Sequence, residues 1–429
     1  MTVVLPFHAS PTFLAPARAP SAALRQSIYR VLCVGISLGP VADFLSVWAG
    51  GGVAGAGARV SLLLRAAVTV ALFGLLLSRG RLSREGLRLA CAALYCVVVA
   101  AWLWADSVYA AGALFEQMVF VVKVFSVFVY GAAMATLDPR EFRVVGVLGG
   151  VTLAVYAAAI LAGAGLSIDM FRSYQADVQI RSGYKGIFVA QNEVSALMAV
   201  ALATAYLLVL RGGWSAYRAA FVGVVVLASM CVGTKAAIGN VALMTLAYLV
   251  AQRGWHGAVL PALAILLVGL AVMFSAYGLV PSVREAADVT LAYFTDRYQP
   301  GNADSVVGMV ASGRNVKLLE VWQTLAQSIW LPLLVGGYPA ASYLVEMDFP
   351  DLAIVLGLPV LTIYLVAWCA PFLTRTIPVT HRHDLYGRLV LVILLLLANL
   401  AGHVLASGGV ALYLALLGQT LRRGARGEV

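Results

Sequence analysis

The chain has 429 residues, 62% of them hydrophobic and 11% charged, with a mean hydropathy of +0.93. A soluble globular domain carries about 25% charged residues, so the composition excludes a soluble globule and leaves a single polytopic membrane domain over 1–429. The formal net charge of +10 does not imply nucleic-acid binding, because most basic residues sit in short loops between apolar runs, as the positive-inside bias produces.

Arg18, Arg25 and Arg30 flank the first apolar run, and no small-residue cleavage site follows it, so an uncleaved first helix is expected. Apolar runs long enough to cross a bilayer then recur along the chain. Their positions predict an all-α protein of about 12 transmembrane helices, over 28–47, 60–78, 88–105, 114–136, 144–163, 187–210, 218–234, 236–252, 257–278, 352–373, 389–404 and 408–421. The runs meeting at Lys235 and at Gly402–Gly409 are short, which predicts tilted, partial or re-entrant helices there. The five cysteines, Cys33, Cys91, Cys96, Cys231 and Cys369, are scattered through apolar runs, so neither a disulfide nor a zinc site is expected.

Arginine placement sets the expected orientation. With the N-terminus inside, the inner loops take Arg79 to Arg88, Arg140 to Arg143, Arg211 to Arg218, Arg253, Arg375 to Arg388 and the tail from Arg422, about 18 of 29 basic residues. Both termini are then cytoplasmic. Two long outer loops remain, about 164–186 and about 279–350, and the second contains an amphipathic helix over 318–335 with Trp322 and Trp330 as interfacial anchors. These two loops are expected to form the active-site cavity.

Basic residues on the outer face need a reason other than topology. Arg172, Arg181, Lys185, Lys235, Arg284, Arg297, Arg314 and Lys317 all fall there. Converging cations suit an anionic ligand, and guanidinium forks match phosphate oxygens; solvated loop charge or lipid-headgroup contact is the plainer alternative. Arg314, after Ser312-Gly313, also directly precedes the amphipathic helix, whose first amides suit a phosphate. Lys235 either snorkels to the interface or points into the bundle. Lys123, mid-span, needs a partner, and Glu116 on the same helix is the expected one.

Glu346, Asp348 and Asp351 precede the tenth span. Carboxylates there can take a proton from a hydroxyl nucleophile or orient sugar hydroxyls, while Asp351 also suits a helix cap. Asn192 and Glu193, near the start of the sixth span, either cap it or line the same cavity as Arg181 and Lys185. His403 ends the eleventh span, where a packed, hydrogen-bonded histidine is the plainer reading.

Taken in order, these pieces resemble the O-antigen ligase and Wzy-type polysaccharide polymerase superfamily of bacterial inner membranes. Gly186-Ile-Phe-Val-Ala-Gln-Asn192-Glu193 is similar to its Gly-x-Phe-x-x-x-Asn signature, and Val-Gly-Thr-Lys235-Ala-Ala to its Ser/Thr-Arg/Lys-small motif. Ser-Gly-Arg314, Trp322 and Gly336-Gly337-Tyr338-Pro339 resemble its periplasmic Arg…Trp…Gly-Tyr-Gly segment, with Gly-Gly-Tyr-Pro departing from Gly-Tyr-Gly. Glu346-Met-Asp348-Phe-Pro-Asp351 resembles the polymerase-type acidic motif, and Ala-Gly-His403-Val its late Gly-His. The matches cover about 186 to 406. Ligases of the superfamily are expected to carry His-Asn where this chain has Glu346-Met347, so the resemblance favours the polymerase branch.

That resemblance implies a multi-pass enzyme of the bacterial inner membrane, its active site facing the periplasm, that polymerises undecaprenyl-diphosphate-linked repeat units by glycosyl transfer to a sugar hydroxyl. Arg314, Arg181, Lys185 and Lys235 are the expected diphosphate ligands; Glu346 and Asp348 the acceptor-side carboxylates; Asn192, Tyr338 and His403 lining residues. No metal or cofactor is expected, and a chain-length regulator and a flippase are the expected protein partners. The alternatives are an O-antigen ligase acting on a lipid A core and a polysaccharide or lipid transporter.

Overall fold

A computed structural model describes residues 21–50, 59–78, 83–105, 111–173, 183–279, 284, 287–289, 291–292, 313–327, 330–339, 344–373, 381–400 and 402–425. The secondary structure of the described residues is helical, with an isolated bridge between Arg172 and Tyr184 as the sole β pairing among them. Seven described helices are long and apolar enough to cross a membrane, and three further apolar helices, Gly86–Trp102, Ala216–Cys231 and Leu358–Phe372, are shorter.

In chain order the helices are α1 (Ala22–Ala49), α2 (Val60–Ser78), α3 (Arg84–Ala105), α4 (Ala111–Ala135), α5 (Pro139–Leu166), α6 (Gln191–Gly212), α7 (Ala216–Cys231) and α8 (Lys235–Leu279). They continue with α9 (Arg314–Gln327), α10 (Leu331–Val335), α11 (Asp348–Leu356), α12 (Leu358–Cys369), α13 (His381–Leu400) and α14 (Gly408–Ala425). α8 is two helices joined at Gly254, whose φ of 76° no helix accommodates; this is the break expected between 252 and 257. The expected span 352–373 is broken too, at Gly357 (φ 78°), because a side chain there would run into the backbone of Leu334 and Gly336. The amphipathic segment also differs from expectation. It starts at Arg314 and stops at Gln327, and Trp330, itself left-handed at φ 59°, packs its ring on Trp322 before the short α10 begins.

Ion pairs and hydrogen bonds sort the helix termini into two ends. At one, Arg25 of α1 pairs with Asp138 and Glu141 at the start of α5, and Arg211 of α6 donates to the Thr420 carbonyl of α14. At the other, Arg59 pairs with Glu116 at the start of α4, and Ser195 of α6 shares a hydrogen bond with Thr234 ahead of α8. The expected Glu116–Lys123 pair is therefore not formed. Seven helical residues separate those two along the axis by roughly 10 Å, while Arg59 lies directly across from Glu116.

α6 and α14 fill the centre. Every residue from Gly408 to Gln419 is buried, which requires the all-round apolar surface that α14 carries along that stretch. Its arginines are accommodated at the far end: Arg423 donates to the Met134 and Leu137 carbonyls, 2.9 and 2.7 Å, and lies over the Phe142 ring. Met134 is in the last turn of α4, whose carbonyls lack partners within the helix, and Leu137 lies two residues past its end. Replacing Arg423 with Ala is expected to cost about 2–4 kcal/mol, read as a lowered thermal midpoint of the purified chain, with Arg423→Lys intermediate because it cannot reach both carbonyls.

Candidate functional site

The segment Gly402–Ser407 is non-helical backbone buried among helices, and such backbone has to find partners for its polar groups. Nearly all of its partners come from neighbouring elements. Asp348, the first residue of α11, accepts three backbone hydrogen bonds, from His403 (2.6 Å), Val404 (2.7 Å) and Leu405 (2.7 Å). The Tyr364 hydroxyl of α12 donates to the Leu405 carbonyl. Gly402 N–H returns to the Leu397 carbonyl, and Ser407 caps α14 by accepting from Val410 and Ala411. Gly402 has φ of 68°, and a Cβ on it would strike the Glu346 carbonyl. Glycine is therefore required there twice over.

Asp351, one turn into α11, reaches back to accept from Val345 (2.8 Å) and Met347 (3.1 Å). This fits the expected capping role and shapes the loop that carries Glu346. Burial raises the pKa of both carboxyls. For Asp348 the nearby His403 and the three amides oppose that rise; Asp351 is pushed up to about 6, against the pull of its two amides and with the Asp348 charge adding to the rise. Asp348 is 2% exposed and both its oxygens are taken. Expected as an acceptor-side carboxylate, Asp348 is found anchoring the amides of His403, Val404 and Leu405.

Glu346 is different. Its side chain is 39% exposed, and two cations converge on it: Lys317 Nζ at 2.5 Å and Arg314 at 3.9 Å. Arg314 also donates to the Leu400 carbonyl at the end of α13 (2.7 Å). Four described non-glycine residues adopt positive φ, and two of them, Glu346 (66°) and His403 (62°), belong to this cluster. Left-handed backbone at non-glycine positions is costly and persists where the surroundings impose it, often at functional sites. Tyr338 sits alongside, its N–H donating to Ile354 of α11 and its carbonyl accepting from Gln117 of α4. The turn holding it needs Gly336, where a Cβ would lie 2.6 Å from the Leu356 backbone.

The other end of the buried segment meets a second group of charges. A Cβ on Gly408 would lie 3.2 Å from the Lys123 side chain; one on Gly409 would meet Phe188 and the Arg65 guanidinium. Arg65 of α2 binds both oxygens of Asp43 on α1 (2.8 and 2.6 Å) and lies over the Phe188 ring, while the Tyr156 hydroxyl of α5 donates to the same carboxylate at 2.5 Å. This buried triad was not among the expected site residues. Its signal was one acid and one base within adjacent apolar runs, a pattern that is costly in lipid unless paired. Four residues separate His403 from Gly408, so the two charge groups are linked by at most roughly 18 Å of chain.

Of the expected residues, Arg314, Glu346, Asp348 and His403 therefore meet in one cluster, while Tyr338 is bonded farther along α11, at Ile354. Lys185 is 5% exposed and donates to the Val189 carbonyl; burial lowers its pKa. It belongs to the loop that carries Phe188 under Arg65. Asn192 is half-buried in the first turn of α6, and Lys235 is exposed at the start of α8, behind Thr234. Arg172 pairs with Asp169, and Arg284 bonds the Tyr277 and Gly278 carbonyls and stacks on Tyr277. Arg181 and Arg297 lie outside the described residues.

No protein-family model matches the chain, and comparison with curated proteins finds no match either. The site's chemistry thus stands on its geometry. Asp348→Asn supplies an amide where three N–H groups need acceptors, leaving at least one unsatisfied, so a loss of about 2–4 kcal/mol is expected. A thermal-shift series on the purified chain checks this: Asp348→Asn falls well below wild type, whereas Glu346→Gln, half-exposed, stays within a few degrees of it.

Proposed function

We propose that the chain is a lipid-diphosphate-dependent glycosyltransferase that polymerises undecaprenyl-diphosphate-linked oligosaccharide repeats. The observation that carries this reading is the gathering of Arg314 and Lys317 around Glu346 at one end of an apolar bundle, beside a segment that Asp348 fixes. In this reading the membrane domain has about 12 spans, the short helices and both halves of α8 included. Both termini are cytoplasmic and the Glu346 end faces the periplasm of a bacterial inner membrane, which agrees with the arginines of α1, α6 and α14 sharing the opposite end.

The chemistry follows from charge. A donor's diphosphate enters between Arg314 and Lys317 and competes with Glu346 for both cations. Glu346, so released, takes the proton of the acceptor sugar hydroxyl as that oxygen bonds to the donor's anomeric carbon. The anomeric carbon–phosphate oxygen bond breaks, and its electron pair leaves on the diphosphate lipid. Negative charge grows on that oxygen in the transition state, so cations already in place stabilise the transition state more than the intact donor. Asp348 does not touch the reactants in this scheme. It holds His403 and, through the packing of Gly402 on its carbonyl, the backbone at Glu346.

Purified chain supplied with lipid-linked repeats tests this directly, with elongation into a ladder as the expected product. Arg314→Ala is expected to lower elongation by about 100-fold or more, the range for losing one charge-stabilising group. Glu346→Gln is expected to lose turnover while still binding the donor. A single transfer onto a lipid A core would make it a ligase; movement of lipid-linked sugar with no new linkage would make it a carrier and would sink the polymerase reading.

A further inference from the structure

Asn315 and Trp322 share one flank of α9. At about 100° per residue they fall within roughly 20° of each other around the axis, two turns and roughly 10 Å apart along it. Leu319 lies between them, and both it (56%) and Trp322 (53%) are more than half exposed. Lys317, which reaches Glu346, is on the far side of the same helix, and Arg314 falls between Lys317 and Asn315 around the axis.

The flank differs from a plain lipid anchor. Anchoring asks for an indole at headgroup depth and for no particular neighbour. Here Trp322 rests on a second ring: Trp330 packs against it with centroids 4.4 Å apart and planes at 62°. Trp330 takes φ of 59° to do so, its N–H donating to the Leu325 carbonyl and its own carbonyl accepting from Leu333. Left-handed backbone at a bulky residue is costly, and what it secures is the fixed orientation of one ring against the other.

Asn315 adds a polar demand. Its Oδ1 is buried and accepts no hydrogen bond from any described residue. Buried acceptors are nearly always met, and a hydroxyl carried by a ligand would meet this one. An indole face offers a phosphate nothing, and a carbonyl oxygen offers nothing to a lipid tail. A sugar uses both, because one face of its ring is C–H bonds and its rim carries hydroxyl donors. Aromatic surface with a few placed polar groups is also the makeup of small-ligand sites.

We infer that Asn315 and the Trp322–Trp330 pair bind the glycan of the lipid-linked substrate. The inference rests on the glycosyl-transfer reading and adds to it the element that recognises sugar. Its layout follows the covalent order of such a donor, whose glycan is joined directly to the diphosphate. With the diphosphate on Lys317 and Arg314, the first sugar lies toward Asn315 and later ones run along α9 to Trp322.

The test measures binding of two lipids to the purified full chain: the lipid-linked repeats extracted from the source cells, and undecaprenyl diphosphate without sugar. Wild type is expected to bind the glycan-bearing lipid more tightly. Trp322→Leu, which keeps apolar bulk and loses the ring, is expected to weaken that lipid about tenfold, and Trp322→Phe to restore it to within about threefold of wild type. Asn315→Leu is expected to weaken it too without lowering the thermal midpoint, because it removes an acceptor that the fold leaves unmet. Sugar-free undecaprenyl diphosphate is expected to bind all three variants within about twofold of wild type, which also shows that they are folded. Unchanged affinity for the glycan-bearing lipid in Trp322→Leu or Asn315→Leu would overturn the inference and leave the enzyme reading intact. Equal weakening of both lipids, or a sharp fall in the Asn315→Leu midpoint, would make these side chains supports of the helix and overturn it as well. Failure of the wild-type chain to bind either lipid would remove the parent reading along with it.

Discussion

One buried carboxylate holds this architecture together at the point where it departs from regular helices. Non-helical backbone in an apolar bundle leaves N–H groups that each cost several kcal/mol if unmet, and an isolated buried carboxylate is costlier still. Asp348 and the His403–Leu405 amides cancel each other's penalties. Neither is tolerable alone, which ties the start of α11 to the gap between α13 and α14. The same constraint sets Gly402 against Glu346, so the most exposed acid of the motif is held in place by the most buried one.

Depth follows from that tie. α14 begins at Gly408, level with Lys123 in the middle of α4, and ends with Arg423 bonded to the last carbonyls of α4. Thirteen residues of α4, Lys123 to Ala135, and sixteen of α14, Gly408 to Arg423, cover that interval, roughly 20 Å of helix. α14 is accordingly shorter than the helices around it, and the space above its first turn is where the non-helical segment and the charges of α1, α2 and α4 assemble. A full-length helix in its position would fill that space with apolar side chains.

The charges here are balanced in distinct ways, and the differences suit distinct tasks. Arg65 is locked by Asp43 with Tyr156 on the same carboxylate, a fixed arrangement in the core. Arg314 and Lys317 share one half-exposed acid. Lys123 packs against Gly408 and pairs with no carboxylate among the described residues.

Hydrophobic periodicity was legible in the sequence, and so were the membrane class and the all-helical fold, because each depends on residues close in the chain. The breaks near Gly254 and Gly402–Gly409 were legible for the same reason. Partner choice was not. Glu116 was expected to meet Lys123 on its own helix and meets Arg59 instead; Asp348 was expected at the reaction centre and is consumed by amides 55 to 57 residues away. Asp43, Arg65 and Tyr156 gave no motif, since their proximity exists only once α1, α2 and α5 pack. Spacing along a chain fixes which face a residue takes, whereas which partner reaches it first is decided by helix packing between segments tens of residues apart.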